Sequence, residues 1–277
     1  MYFSQNLKKL KLDLKNKGYT IVKNYFRINQ INLIKKDFFI LSKKLFDYHV
    51  KDKRVNFKIK KDGFDSYINY CYKKNNFNSR FYEVVKKLPS FLNLIFSKKN
   101  FSLLNNIDKN AKWGMLNKAF GFRFDYPRDN NFTTQLHQDY TSNLGSSSGF
   151  VFISSLSKIS KNDGAIKVYP GTHKLGLQKI KMSKNIKLRK TRRVLLADEK
   201  EIKKKFKFNY VFMNPGDLLI IDFLTLHESS QNKSKRTRIT FISRYIDFFS
   251  GTGTEIFYSD GEQANTYFGK IHKNLIV

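Results

Sequence analysis

The sequence has little cysteine, little proline and few acidic residues. One cysteine among 277 residues excludes an intramolecular disulfide and favours a reducing compartment such as the cytoplasm. Residues 1–10 lack the apolar core of a signal peptide. No apolar run approaches the length of a membrane span, since the longest, Leu218–Leu226, is interrupted by Asp222. We therefore expect a cytoplasmic protein without a membrane partner.

The acid deficit gives a net charge of +31, from 53 basic and 22 acidic residues. Such a charge suits a polyanion partner, with nucleic acid as the first candidate. However, only 11 of the basic residues are arginine and 42 are lysine. Surfaces that bind phosphate groups more often use arginine, because its planar guanidinium can donate two hydrogen bonds to one phosphate. Asparagine, isoleucine and phenylalanine are also abundant, as in proteins of AT-rich genomes. We therefore expect codon bias rather than nucleic-acid binding to explain the charge.

The hydrophobic share of 40% and the aromatic share of 16% indicate a globular chain with a sizeable core. The first 115 residues carry helical apolar spacing, and Gly18 is the expected end of the first helix. Tyr19–Val22 is typical of a short strand, and the polar residues 50–63 of a loop or ribbon. The expected helices cover residues 5–17, 31–45 and 78–97, the last interrupted by Pro89.

From about residue 117 the pattern changes to short apolar strands separated by turns. The expected strands are Phe120–Tyr126, Phe132–Asp139, Gly149–Leu156, Ala165–Tyr169, Leu218–Phe223 and Arg238–Tyr245. Many short strands after a helical region predict a mainly β fold with an α flank: a double-stranded β-helix (jelly-roll, cupin-like) core with N-terminal helices packed on it. We expect a single domain. Its parts are a helical flank (1–115), a core (116–250) with a Lys-rich insertion at about 174–209, and a C-terminal extension (251–277).

Two segments of this core contain candidate metal ligands. His137 and Asp139 are two positions apart, so on a strand both side chains point to one face. His227, at the end of a distant strand, would complete a set of two histidines and one carboxylate, which leaves coordination positions open for a keto acid and O2. His173 is the rival third ligand, but we expect it to line the cavity mouth or to brace a turn. The sequence therefore predicts a mononuclear non-haem Fe(II) site.

An arginine in the expected place adds a second group to this site. Arg238 lies eleven residues after His227 and begins the next strand. Its guanidinium could hold a carboxylate through two parallel hydrogen bonds. A molecule such as 2-oxoglutarate would present its keto acid to the metal and its distal carboxylate to that cation. Arg236 is the competitor, but we expect it to fall in the preceding turn.

The chain resembles the phytanoyl-CoA dioxygenase family of Fe(II)/2-oxoglutarate oxygenases, and the resemblance covers nearly its whole length. It rests on an opening strand and helix and on four ordered motifs. These motifs are Phe122-Arg123-Phe124-Asp125-Tyr126-Pro127 with His137-Gln138-Asp139-Tyr140, Asn162-Asp163-Gly164, Tyr169-Pro170-Gly171-Thr172-His173-Lys174, and Pro215-Gly216-Asp217 with His227 to Arg238.

The resemblance implies a role for each matching residue. His137, Asp139 and His227 would bind Fe(II), while Arg238 would grip the distal carboxylate of 2-oxoglutarate and Ser229 would support it.

Other matching positions carry weaker expectations. Asp125 would lie near the cosubstrate, and Arg123 would face the same cavity and contact the substrate. Tyr140 and Asn143 could also line the substrate pocket. Ile153 stands where phytanoyl-CoA hydroxylases tend to carry a tryptophan, which argues against an acyl-CoA substrate.

The expected activity is O2-dependent hydroxylation of a small molecule, with conversion of 2-oxoglutarate to succinate and CO2. Asp139 is present where related halogenases have a small residue, which favours hydroxylation over halogenation. Two alternatives stay open at this stage: a nucleic-acid-directed 2-oxoglutarate oxygenase that uses the basic surface, and a non-catalytic jelly-roll binding protein.

Overall fold

The computed structural model describes residues 2–49, 75–116, 119–129, 133–182, 194–251, 253–258 and 267–277. The expected loop at 50–63 lies outside this set, as does the basic run Lys187–Arg193. No helix within these ranges is long and apolar enough to cross a membrane.

Helices dominate the N-terminal part, as the periodicity predicts. They are α1 (Tyr2–Lys17), α2 (Ile28–His49), α3 (Asn75–Val85), α4 (Pro89–Ile95) and α5 (Lys98–Ile107). The expected helix over 78–97 is two helices, because Pro89 has no N–H to continue the first and suits the first turn of the second. Helix α5 was not predicted.

The end of α1 fixes the direction in which the chain enters the sheet. Gly18 donates its N–H to the carbonyl of Leu14 at 2.9 Å and has a φ of +76°, which favours glycine. A Cβ at this position would lie 2.1 Å from Thr225 Oγ1. The chain therefore turns at once into the first strand, as the sequence predicts.

The larger sheet joins strands from both ends of the chain. Its strands are β1 (Tyr19–Val22), β2 (Trp113–Gly114), β3 (Phe120–Asp125), β4 (Gly149–Ser155), β9 (Leu218–Asp222) and β11 (Arg238–Asp247). They pair antiparallel throughout, in the order β1-β9-β4-β11-β2, with β3 also paired to β11.

The helices cover one face of this sheet. There Phe38 of α2 meets Phe122 and Phe124 of β3, with ring centroids 5.7 and 5.8 Å apart. This contact buries Phe38 completely and stabilises the fold by about 2–3 kcal/mol. The apolar spacing of α2 is therefore the reason why the helical part packs on the sheet.

A smaller antiparallel sheet packs on the opposite face. Its strands are β5 (Ile166–Val168), β8 (Asn209–Val211) and β10 (His227–Ser229), in the order β10-β5-β8. Between the two sheets, Val151 and Leu219 of the larger one share an apolar core with Val168 and Val211 of the smaller one. The described fold is therefore two antiparallel sheets with helices on one side.

The described residues of the Lys-rich segment 174–209 lie against the two sheets. Its described residues form a two-stranded ribbon, β6 (Ile180–Met182) with β7 (Val194–Leu196), and helix α6 (Glu199–Lys205). Leu196 and Ile202 pack with Tyr169 and Leu226 beside the smaller sheet. The last described helix, α7 (Tyr267–Ile271), contributes Phe268 to the core between the sheets.

One expected strand is wrong. Among residues 133–139 of the expected strand Phe132–Asp139, only a single bridge forms, between His137 and His227. Asp139 instead begins a 3-10 turn that continues to Ser142. The reason is that the chain bends away from the smaller sheet after this bridge, so ladder pairing stops.

Candidate active site

Three potential metal ligands converge at the mouth of the sandwich. His137 and His227 face each other across their bridge, with reciprocal backbone hydrogen bonds of 3.1 Å and ring centroids 4.2 Å apart. Asp139 swings in from the 3-10 turn, and its Oδ2 lies 3.3 Å from His227 Nε2. One ligand atom from each of the three residues lies within 4.8 Å of the others, and all three side chains are buried. The residues expected from the sequence are thus together, although a turn rather than a strand brings Asp139 into place.

Hydrogen bonds orient both imidazole rings for coordination. His137 Nδ1 lies 2.7 Å from the carbonyl of Gln135, and His227 Nδ1 lies 3.0 Å from the carbonyl of Thr225. A carbonyl can only accept, so each Nδ1 donates a proton and each Nε2 is left as the atom that can bind a metal. A backbone partner on the second ring nitrogen is the usual support of a metal-binding histidine. The residues present therefore fit a divalent iron ion.

Asp139 is held as a carboxylate. Burial opposes its ionisation, but the pKa of Asp139 lies well below the usual value, and the guanidinium of Arg244 is the strongest of the groups that favour the carboxylate. Arg244 Nε donates to Asp139 Oδ1 at 3.0 Å, which leaves Oδ2 on the histidine side. An ionised oxygen and two imidazole nitrogens form the donor set of a facial triad with open positions.

A cavity of about 260 Å³ opens beside these ligands. Its apolar wall is Val151, Ile153, Ile166 and Ile242, and its polar wall includes Arg123, Thr134, Ser229, Arg238, Thr240 and Arg244. Ile153, the residue that the sequence placed where a tryptophan is common, is therefore part of this wall.

A buried charge cluster closes the end of the cavity at the start of β11. Arg238 is 2% exposed and donates to Asp125 Oδ2 from Nε at 3.0 Å and from Nη2 at 2.5 Å, while Nη1 donates to the carbonyl of Gly164. Arg123 also donates to Asp125, from Nε at 2.9 Å to Oδ1. Burial opposes ionisation of Asp125, yet Arg123 and then Arg238 lower its pKa below the usual value. Two cations thus share one carboxylate at this end of the cavity.

Ser229 joins this cluster to the segment that carries His137. Its hydroxyl accepts from Arg123 Nη2 at 3.0 Å and from the Thr134 N–H at 2.6 Å. Arg123 Nη1 donates to Thr134 Oγ1 at 2.5 Å. His227 and Ser229 are on the same face of β10, so metal ligand and hydroxyl both point into the cavity.

The two competing residues lie outside the cavity. Arg236 donates to Asp163 from Nε at 2.9 Å and from Nη2 at 3.0 Å, and so holds a surface turn. His173 Nε2 lies 3.1 Å from the carbonyl of Lys15, so this histidine braces the end of α1.

Tyr140 and Asn143, predicted to contact substrate, are not in the lining of this cavity. Tyr140 is 4% exposed, and its hydroxyl lies 3.0 Å from His272 Nε2. Asn143 is 5% exposed and donates to the carbonyl of Asp139 at 3.1 Å. Both side chains therefore support the turn that holds Asp139, and the geometry offers no support for the predicted substrate contact.

Sequence reasoning did not find Arg244 and Thr134. The signal for Arg244 is the alternation of β11, because Arg238, Thr240, Ile242 and Arg244 recur at every second position and all line the cavity. Thr134 carries no comparable signal, since its segment has no regular structure.

Comparison with known proteins places this geometry in context. The family model described as Phytanoyl-CoA dioxygenase (PhyH) matches residues 15–240. Among curated proteins, none matches the sequence significantly.

Several solved structures share the fold. EctD from S. alaskensis, crystallised with 2-oxoglutarate and 5-hydroxyectoine, aligns with a TM-score of 0.58 and 13% identity over 86% of this chain and 75% of its own. SnoK, a non-heme alpha ketoglutarate dependent carbocyclase from nogalamycin biosynthesis, aligns with a TM-score of 0.57 and 12% identity over 94% of this chain and 93% of its own. The epimerase SnoN, in complex with Fe3+, alpha ketoglutarate and nogalamycin RO, aligns with a TM-score of 0.56 and 12% identity over 88% of this chain and 84% of its own.

Proposed function

The chain belongs to the phytanoyl-CoA dioxygenase family and is an Fe(II)- and 2-oxoglutarate-dependent oxygenase, and from that premise we propose that it hydroxylates a small molecule. The observation that supports this most directly is the convergence of the two histidines and Asp139, with both Nδ1 atoms beside backbone carbonyls and His227 Nε2 beside the carboxylate. The retained carboxylate favours hydroxylation over halogenation, because it fills the position that a halide would need.

His137, Asp139 and His227 would hold the iron, and together with 2-oxoglutarate the iron supplies O2-dependent oxidation coupled to release of succinate and CO2. The task of Arg238 is to bind the distal carboxylate of 2-oxoglutarate, and Ser229 supports that carboxylate. Arg123 and Asp125 keep the Arg238 guanidinium in place before the cosubstrate arrives, since all three are joined in one cluster.

The apolar wall has a separate role. Val151, Ile153 and Ile242 line the cavity opposite the charged groups. They exclude water and leave an apolar surface against which a C–H bond can lie beside the metal. We propose that Arg123 also contacts substrate, as the family resemblance implies.

The two sheets are the basis for a finer statement of the fold. We infer that they form a double-stranded β-helix, a jelly-roll of the cupin type, in one oxygenase domain. In this division residues 1–115 are the helical flank, 116–250 the core with its Lys-rich insertion, and 251–277 a C-terminal extension. The single cysteine supports a cytoplasmic location.

The similar structures support a small molecule as substrate. EctD is crystallised with 5-hydroxyectoine, and SnoN with nogalamycin RO. The preference for lysine among the basic residues is the reason why we do not propose nucleic acid. Tight, steeply salt-dependent binding of DNA or RNA would contradict this.

The function is tested by anaerobic calorimetry and by a succinate assay. We expect the protein to bind one Fe(II) and then one 2-oxoglutarate, and to form succinate in air even without substrate, at a low rate. His137→Ala should lose iron binding and succinate formation. The matched control is His49→Ala, because His49 lies on α2, far along the chain from the triad. Full iron-dependent succinate formation by the His137 variant would refute the assignment.

A further inference from the structure

Arg244 lines the cavity, but the proposed function gives it no part in binding the substrate. It lies on β11 opposite Val151 of β4, on the same face as Arg238, Thr240 and Ile242. Its side chain is 21% exposed, whereas that of Arg238 is 2% exposed. Both arginines line the cavity, but Arg244 exposes more of its side chain than Arg238 does.

The two arginines lie at different ends of the part of β11 that lines the cavity. Arg238 and Arg244 are six positions apart on one strand, which separates their Cα atoms by about 20 Å. Arg244 contacts the triad through Asp139, while Arg238 belongs to the cluster around Asp125 and Ser229. A cosubstrate whose distal carboxylate is bound by Arg238 would therefore leave the Arg244 end of the cavity free for substrate.

The guanidinium of Arg244 has unused donors. Its Nε donates to Asp139 Oδ1 at 3.0 Å, and in the described part of the chain neither terminal nitrogen donates a hydrogen bond. Two terminal nitrogens side by side match the two oxygens of a carboxylate or the oxygens of a phosphate group. Arg244 can therefore hold Asp139 and an anion at the same time.

The charged side chains that line the cavity also favour an anionic ligand. Its three arginines, Arg123, Arg238 and Arg244, face two carboxylates, Asp125 and Asp139. The carboxylate of Glu228, which also lines the cavity, is engaged by Lys167 and Lys203. The charges of a divalent metal and of doubly charged 2-oxoglutarate would cancel each other. One positive charge is then left over at the Arg244 end, and an anionic group of the substrate would neutralise it.

We propose that the substrate carries a carboxylate or a phosphate group, and that the terminal nitrogens of Arg244 bind it at the Asp139 end of the cavity. This inference rests on the proposed function, because it takes the metal and 2-oxoglutarate as bound. It narrows the substrate class from small molecules in general to anionic ones.

The test uses the full chain with Mn(II), which occupies such sites without turnover, and with saturating 2-oxoglutarate to block Arg238. Calorimetric titrations follow with two matched pairs of probes, benzoate against benzamide and phenyl phosphate against phenol. We expect at least one anion to bind more tightly than its neutral counterpart, and the tighter anion identifies the group.

Arg244→Gln should bind that anion roughly tenfold to a hundredfold more weakly, as expected for loss of a charge-assisted hydrogen bond. Because Arg244 also holds the carboxylate of Asp139, Mn(II) and 2-oxoglutarate are added to this variant until both sites are saturated, and the anion is titrated only then. Arg27→Gln, which removes an exposed arginine at the start of α2, is the matched control and should bind the anion normally.

Three results would overturn the inference. They are no preference for either anion in the wild type, an unchanged preference in Arg244→Gln, and a loss confined to Mn(II) affinity. The last result would mean that Arg244 only positions Asp139. Failure of the wild type to bind Mn(II) and 2-oxoglutarate in the first titration is a different outcome, which refutes the proposed function itself.

Discussion

Asp125 is a single carboxylate that binds two arginine side chains. It accepts two hydrogen bonds from Arg123, at 2.9 and 3.1 Å, and two from Arg238, at 3.0 and 2.5 Å. In Asp125→Asn, one oxygen is replaced by an amide nitrogen that can only donate. One of the two guanidinium groups then faces a donor, and Arg238 has no carboxylate partner among the residues that the structure describes.

The magnitude follows from the burial of each partner. Removing one member of a buried ion pair costs about 3–5 kcal/mol. The lower end applies here, because Arg123 is 24% exposed and can regain some solvent, whereas Arg238 is 2% exposed and cannot. We therefore expect Asp125→Asn to lower the free energy of unfolding by about 3 kcal/mol. For a chain of 277 residues this corresponds to a loss of about 5 °C in Tm.

The cosubstrate should partly rescue this variant. The distal carboxylate of 2-oxoglutarate would supply Arg238 with the negative charge that the asparagine side chain lacks. Mn(II) with 2-oxoglutarate should therefore raise the free energy of unfolding of Asp125→Asn by at least about 1 kcal/mol more than that of the wild type.

Urea unfolding with and without Mn(II) and 2-oxoglutarate measures both effects. Asp108→Asn is the control, because Asp108 is exposed and accepts only a local backbone hydrogen bond. The reasoning fails if Asp125→Asn is within about 0.5 kcal/mol of the wild type, the range of a typical surface substitution. It fails equally if 2-oxoglutarate stabilises both proteins to the same extent.

Two further predictions concern residues that support the fold around the site. Gly18→Ala should lower the free energy of unfolding by more than about 1 kcal/mol in thermal or urea unfolding, because its φ is +76° and a Cβ would collide with Thr225 and His173; an unchanged Tm would contradict this. Asp163 has a pKa lowered to about 2, since hydrogen bonds from Arg236 and Ser160 outweigh its burial. A folded-state pKa below the ordinary 3.8 adds stability above about pH 4, which is lost as the pH falls towards 2. Asp163→Asn should lack this loss, of about 2 kcal/mol, in urea unfolding between pH 4 and 2; equal slopes for variant and wild type would count against it.

Much of the fold was open to prediction because the relevant signals are local. The stop at Gly18 and the break at Pro89 follow from backbone properties of those residues alone. The strands of the larger sheet, with the exception of β2, were visible as apolar runs between turns. Helix α5 and the turn at Asp139 were missed, since both depend on contacts with distant segments rather than on periodicity.

The sequence by itself determined which residues can bind the metal. A two-residue spacing, a distant histidine and an arginine eleven residues later restrict the chemistry to a few donor sets. Only the tertiary structure decided how these residues meet and which others join them. It placed Arg236 outside the cavity and Arg244 inside, although both are arginines near the same strand. The physical reason is that Arg236 precedes the first residue of β11 and turns towards Asp163, whereas Arg244 lies within the strand, on the face that strand pairing and sheet packing turn towards the cavity.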